Sequence, residues 1–431
     1  MTMQPRLYPF AIRSLTVPPG LQPILRGVAG YASAELANRV VRLLAILVIA
    51  RHTDAAMLGT AALALSLFEL VRVLANVGIG QRIIVAHDAE LEAICRTALR
   101  LFILLCAGVA LFQLGVAGIL AVILGHREAG AMLAVLAGVY AFMPAGLVQI
   151  HLAMRERRLA TTARISATQA IADHLLTMAL VVIWPSAWAI VLPKLLTAPL
   201  WTVLARRACP WKPRRDVAPA PAAQFRTFFV GVFGSEAMIA LRGQADKLVI
   251  GAVLGVKALG IYYFAFGAGL GIAQSLVTAF GIVLFPNLAA EGDAGERSAR
   301  MRAATLAGLA CIVPFALFQA VAAPFYVPLV FGEQWGEAAH YVALLSLAAI
   351  PLFLAAAIGA HLRAGGKPGR EAALSAAATG AALGGLSIGA QLSLFAACAG
   401  YAAGLALILF PAAARSLLPR RQTLHPARKE A

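Results

Sequence analysis

Charge is what this sequence has least of. Asp, Glu, Lys and Arg together make only 13% of its 431 residues, about half the share of a soluble domain. Hydrophobic residues make 61% and the mean hydropathy is +0.83. So little polar surface cannot cover a soluble globule, and the chain reads as an all-α, polytopic membrane protein. Acidic residues are the scarcer sign, 19 against 36 Lys and Arg. The resulting net charge of +17 does not point to nucleic acid, because the cations sit between apolar segments instead of clustering with aromatics on a soluble face. Cysteine is sparse as well. Cys95, Cys106, Cys209, Cys311 and Cys398 lack C-x-x-C spacing, which excludes a disulfide framework and a cysteine metal site. No D-x-D cluster, phosphate loop or metal triad is present. Gly267, Gly269 and Gly271 lack the strand-turn-helix context of a dinucleotide fingerprint and suit close helix packing, as do Gly251 and Gly255.

What the chain does have is apolar segments of bilayer-spanning length. They recur at about 27–50, 56–80, 94–124, 130–152, 161–184, 186–206, 226–255, 258–286, 300–328, 338–362, 370–390 and 392–416, and predict about twelve transmembrane helices. Basic residues collect in alternate loops. Turns after odd-numbered spans hold Arg51, Arg127 and Lys257, whereas the others hold groups such as Arg155, Arg157, Arg158 and Arg164. By the positive-inside rule both termini are cytoplasmic. Residues 1–26 carry no apolar core of signal-sequence length and read as an uncleaved cytoplasmic tail. The Pro-rich, basic stretch 208–224 reads as a cytoplasmic linker between two six-helix lobes, 27–207 and 225–418, with a basic tail at 419–431. A short echo supports two related halves. Ala56-Met57-Leu58-Gly59 opens the second span as Ala258-Leu259-Gly260 opens the eighth. Repeats of this kind place a substrate path at their interface. Pro144, Pro193, Pro199, Pro314 and Pro351 fall inside spans and are expected as kinks.

The run Ala245-Asp246-Lys247-Leu248-Val249-Ile250-Gly251, then Leu254-Gly255 and Ala258-Leu259-Gly260-Ile261-Tyr262, resembles the signature of bacterial oligosaccharide flippases. These belong to the multidrug/oligosaccharidyl-lipid/polysaccharide exporter superfamily. Leu284-Phe285-Pro286, Phe331-Gly332-Glu333-Gln334-Trp335 and Leu152 with Arg155 to Leu159 extend the match across residues 30 to 390. The resemblance implies two six-helix lobes around a central cavity in the inner membrane. It implies transport of an O-antigen or exopolysaccharide repeat unit on a polyprenyl pyrophosphate, with the polymerase and glycosyltransferases of that pathway and membrane lipids as partners. A cation-coupled drug antiporter of the same superfamily is the nearest alternative. A peptidoglycan-precursor flippase would need two further helices, and a polymerase or ligase a large outer loop that this chain lacks.

The intramembrane charges are the candidate site residues, because each is costly without a partner, a cavity or a transported group. Arg39, Arg42, Arg72, Lys194, Arg242 and Lys247 are candidates for the pyrophosphate. Glu35, Glu69, Asp173, Glu236 and Asp246 are candidates for ion pairing or for coupling to H+ or Na+; no other cofactor and no metal is expected. Glu35/Arg39, Glu69/Arg72 and Arg242/Asp246 stand at helical spacing and read either as internal pairs or as parts of the site. Arg42 and Lys194 have no acidic neighbour at that spacing. Each needs a partner from another helix, a wet cavity or a bound anion. Asp173, beside His174, and Asp246 are the carboxylates suited to coupling, and His361 reads as interfacial.

Overall fold

The computed structural model describes the backbone of residues 22–75, 78–214, 216–274, 277, 280 and 294–417. Side chains of 22–36 and 226–237 are outside the described set, and so are Glu35 and Glu236, the Leu284-Phe285-Pro286 match and both terminal tails.

Among the described residues the chain is helical throughout. The helices are α1 Gln22–His52, α2 Ala55–Arg72, α3 Ile79–Ile84, α4 Leu91–Gly118, α5 Arg127–Leu136, α6 Val139–Phe142, α7 Pro144–Arg155, α8 Leu159–Ile183 and α9 Ala187–Ala208. They continue with α10 Arg226–Ala265, α11 Ala294–Tyr326, α12 Ala339–Leu347, α13 Ala349–Ala364, α14 Pro368–Ala390 and α15 Leu394–Leu417. Nine described stretches are long and apolar enough to cross a bilayer, and α5–α6 with α7, bent by 55°, make a tenth. The charged α1, 31 residues long, and the division of α10 at Gly255 bring the bundle to about twelve spans.

The breaks have local causes. Gly78 adopts φ 69°, so the span expected over 56–80 stops at Ala75 and a short α3 follows. Pro144 starts α7 at the bend of the fourth span, where its ring removes a backbone bond. Gly255, at φ 85° and ψ 174°, turns α10 back on itself. Asp246 and Tyr262 are 16 residues apart and 2.9 Å apart, carboxylate to hydroxyl; an unbroken helix would separate them by about 24 Å. The sequence reading of two helices meeting at 255–258 is therefore correct in kind.

α8 packs on α1 and α9 within the first half, and α14 on α15 in the second. The halves join where α2 lies against the α10 hairpin. The two glycines of the sequence echo meet there. A Cβ on Gly59 would overlap the Val256 carbonyl, and one on Gly260 the Ala55 carbonyl. Only glycine lets these backbones approach so closely.

The stretch expected as a linker is docked on α4. Glu92 on α4 accepts from Trp211 Nε1 at 2.8 Å and from the Arg214 amide at 2.7 Å. Thr97 donates to the Ala220 carbonyl at 2.7 Å, and Arg96 donates to that of Val217. The strap belongs to the first half.

Candidate functional site

α1, α2, α8, α9 and both arms of α10 surround a cavity of about 530 Å³. Its polar lining comes from both halves: Asn38 and Arg42, Ser66 and Glu69, Asp173 and His174, Lys194, and Gln244 and Lys247.

The charges sort into two neutralised groups and one surplus. Arg72 holds Glu69 at 2.7 Å. Lys194 stands 3.8 Å from Glu69 and 3.5 Å from Asp173, so its partners come from α2 and α8, as its isolation on α9 requires. In the second half, Lys247 contacts Asp246 at 3.2 Å and donates to the Gly243 carbonyl at 2.8 Å. Its ammonium also stands 4.7 Å from the centre of the Phe266 ring, a cation–π distance. Arg42 is left over: it lines the cavity and makes no ion pair among the described residues. Three buried polar atoms on the same walls have no hydrogen-bond partner among the described residues, namely Asn38 Oδ1, Ser66 Oγ and Asp173 Oδ1. Such atoms favour polar contents.

Two expectations change. Arg242 does not pair with Asp246; it is exposed and donates to Ser375 on α14. The Asp246 carboxylate, 3% exposed, is occupied by Lys247 and by Tyr262, which the reversal at Gly255 brings opposite it. Arg39 and Arg72 also lie outside the cavity lining, Arg39 half-buried on α1 and Arg72 turned to Glu69. The cavity is thus nearly balanced, with Arg42 as its unmatched cation, rather than broadly cationic.

A closure above the cavity was missed in the sequence. Gln334 and Trp335 both donate to the Ala50 carbonyl, at 2.8 and 2.7 Å. Arg51 returns two bonds, to Val330 at 2.7 Å and Leu329 at 3.0 Å. Carbonyls in the last turn of a helix lack intrahelical donors. Each half therefore caps a helix end of the other. Phe264, stacked on Trp335 at 4.1 Å and edge-on to Phe331 at 5.1 Å, fills the roof. The Phe331-to-Trp335 motif was the available signal, an aromatic and polar cluster following an apolar span.

Residues 48–340 match the family described as "Polysaccharide biosynthesis protein", which is more than half of the chain. The chain belongs to that family. Solved transporters share the fold. One is the lipid II flippase MurJ in an inward closed conformation, 10% identical, with a TM-score of 0.72 over 89% of this chain and 87% of that one. Another is a multidrug resistance MATE family transporter of the MOP superfamily in an inward-facing conformation, 14% identical, with a TM-score of 0.65 over 87% and 93%. The eukaryotic MATE transporter AtDTX14 is 16% identical, with a TM-score of 0.53 over 92% and 99%. No curated protein matches. At these identities the likeness concerns fold. The protein is a multi-pass membrane member of a polysaccharide biosynthesis family with a flippase-type transporter architecture.

Proposed function

We propose that this protein is an inner-membrane flippase. It moves a polyprenyl-pyrophosphate-linked oligosaccharide repeat unit from the cytoplasmic to the periplasmic leaflet for cell-surface or exopolysaccharide synthesis, with both termini cytoplasmic. The observation that carries the reading is Arg42, a cavity-facing guanidinium without an ion pair among the described residues. A diphosphate is an anion whose oxygens suit the guanidinium fork. Lys194 can join it, because its distances of 3.5 and 3.8 Å to the two carboxylates are longer than charge-assisted hydrogen bonds, so little is lost in turning. The polar walls accept sugar hydroxyls without stripping them of hydrogen bonds. The family match and the MurJ fold support the same reading. Rocking the halves apart, with loss of the Gly59–Gly260 contact, would open the roofed side. Outward movement of an anion follows the membrane potential, worth about 2.3 kcal/mol per charge per 100 mV.

The test is surface polymer in cells that depend on this gene. Arg42→Ala should abolish it with the protein still in the membrane, and Arg42→Lys should restore part of it. Normal polymer in Arg42→Ala cells would overturn the anion site.

A further inference from the structure

Two of the cavity's unpartnered atoms stand level with Arg42. Arg42 and Asp173 lie ten residues before the ends of α1 and α8 at His52 and Ile183, and Ser66 lies eleven residues after the start of α2 at Ala55. Those three helix ends share one side of the bundle, so the three residues sit at one depth, about 15 Å below the roof. All three line the cavity. Asn38, also on its wall, is one turn from Arg42 on the same face of α1. Ser66 is 2% exposed, and its hydroxyl, Asn38 Oδ1 and Asp173 Oδ1 have no hydrogen-bond partner among the described residues. Buried polar atoms are rarely left so.

Asp173 shows the need most clearly. Lys194 neutralises it from 3.5 Å, which is too long for a charge-assisted hydrogen bond. Thr177, one turn along α8, spends its hydroxyl on the Asp173 carbonyl at 2.8 Å. The carboxylate therefore has a countercharge and lacks donors. A pyranose presents neighbouring hydroxyls, each a donor, and supplies what Asp173, Asn38 and Ser66 are missing. The charge balance limits which pyranose fits. Arg72 and Lys194 answer Glu69 and Asp173, and Lys247 answers Asp246. That leaves Arg42 as the one cation in excess among the described lining residues. A diphosphate joined at both ends keeps a negative charge on each phosphate and uses up that excess. A carboxylate on the sugar would then meet Asp173 and no free cation.

We propose that Asp173, Asn38 and Ser66 form a subsite for the hydroxyls of the sugar next to the diphosphate, and that this sugar is uncharged rather than a uronic acid. The proposal rests on the function proposed above and adds which repeat units the cavity takes. Asp173 is the residue that sets the choice, because it accepts from hydroxyls and repels an acid. Like charges in a partly dry site repel far more strongly than in water, so an acidic sugar should lose more than about tenfold in affinity. A carboxylate that served only to couple transport to a cation would make no such distinction between sugars.

The test uses the full chain in nanodiscs of zwitterionic lipid. Inorganic pyrophosphate, followed by calorimetry, reports the anion site alone. Glucosyl farnesyl diphosphate and glucuronyl farnesyl diphosphate share tail and diphosphate and differ only at C6, a hydroxymethyl group in one and a carboxylate in the other. Empty nanodiscs give their uptake by lipid. The glucosyl probe should bind more than about tenfold tighter than the glucuronyl probe. Asp173→Asn, which keeps the shape and removes the charge, should bring the two to nearly equal affinity. Ser66→Ala should weaken the glucosyl probe severalfold and pyrophosphate far less. Equal binding of the two probes in the parent protein, or tighter binding of the glucuronyl probe, with pyrophosphate still bound, would overturn the subsite alone. A preference unchanged in Asp173→Asn would take the choice of sugar away from Asp173 and overturn the subsite too. No pyrophosphate binding, or equal binding in Arg42→Ala, would overturn the anion site and the subsite together.

Discussion

Asp246 and Lys247 show how much depends on the partner of a buried charge. They are 3% and 7% exposed, and Tyr262 completes the carboxylate's contacts. Removing one member of such a pair strands the other. Asp246→Ala should lower stability by about 3–5 kcal/mol, whereas Tyr262→Phe, which removes one hydrogen bond to a charged group, should cost about 1.5–3 kcal/mol. Thermal unfolding of the purified protein checks the order, and a larger loss in Tyr262→Phe would contradict it. The sequence left Asp246 open between a coupling role and a pair with Arg242, four residues away. Spacing along a helix knows nothing of the reversal at Gly255, and the reversal brings Tyr262 to the carboxylate. Arg42 and Lys194 were legible for the opposite reason. Neither has an acidic neighbour on its own helix, so the question of a partner elsewhere was posed by the sequence itself. The structure answers it with two carboxylates for Lys194 and with open cavity for Arg42.

The decisive element is the α10 hairpin seated on α2. Its turn was readable, because the apolar stretch over 226–286 is too long for one crossing, but Gly255, expected in close helix packing, is the residue at φ 85° that makes it. The contact was not readable, since the echo of Gly59 and Gly260 indicates kinship between halves without saying that the echoing residues touch. In the fold that contact closes the end of the bundle where α1 meets α2. Gly260→Ala drives a methyl group into the Ala55 carbonyl, so the hairpin must move off α2. The expected result is a protein that still inserts but whose closed side leaks. A cysteine placed at Ser66, on the cavity wall, should react faster with an impermeant thiol reagent added from outside cells; a cysteine-free background removes the native thiols. Unchanged reactivity would show that this seam does not close the cavity. The docking of the stretch 209–221 was not readable, because composition cannot reveal the Glu92 carboxylate that accepts from it twice. Glu92→Ala should release it, and limited trypsin digestion should then cut after Arg214 faster than in the parent protein.

Over the whole molecule the two halves are held together at that end by exchange. The last turn of α1 and the turn at Leu329 and Val330 each present carbonyls that their own helices leave unbonded, and each is capped from the other half. Parting the halves exposes both sets at once, with the Phe264–Trp335 stack between them. The two caps should therefore act as one latch. Trp335→Phe keeps most of the ring but deprives the buried Ala50 carbonyl of one donor, and Arg51→Ala frees Leu329 and Val330. A lost hydrogen bond of this kind costs about 1–3 kcal/mol, enough to shift a closed-to-open ratio by about 5- to 150-fold. The single variants should raise outside labelling of the Ser66 cysteine, and in the double variant the two factors should multiply, since one concerted opening breaks both caps and their free energies add. A double variant labelled no faster than the stronger single variant would mean that one cap alone holds the halves together.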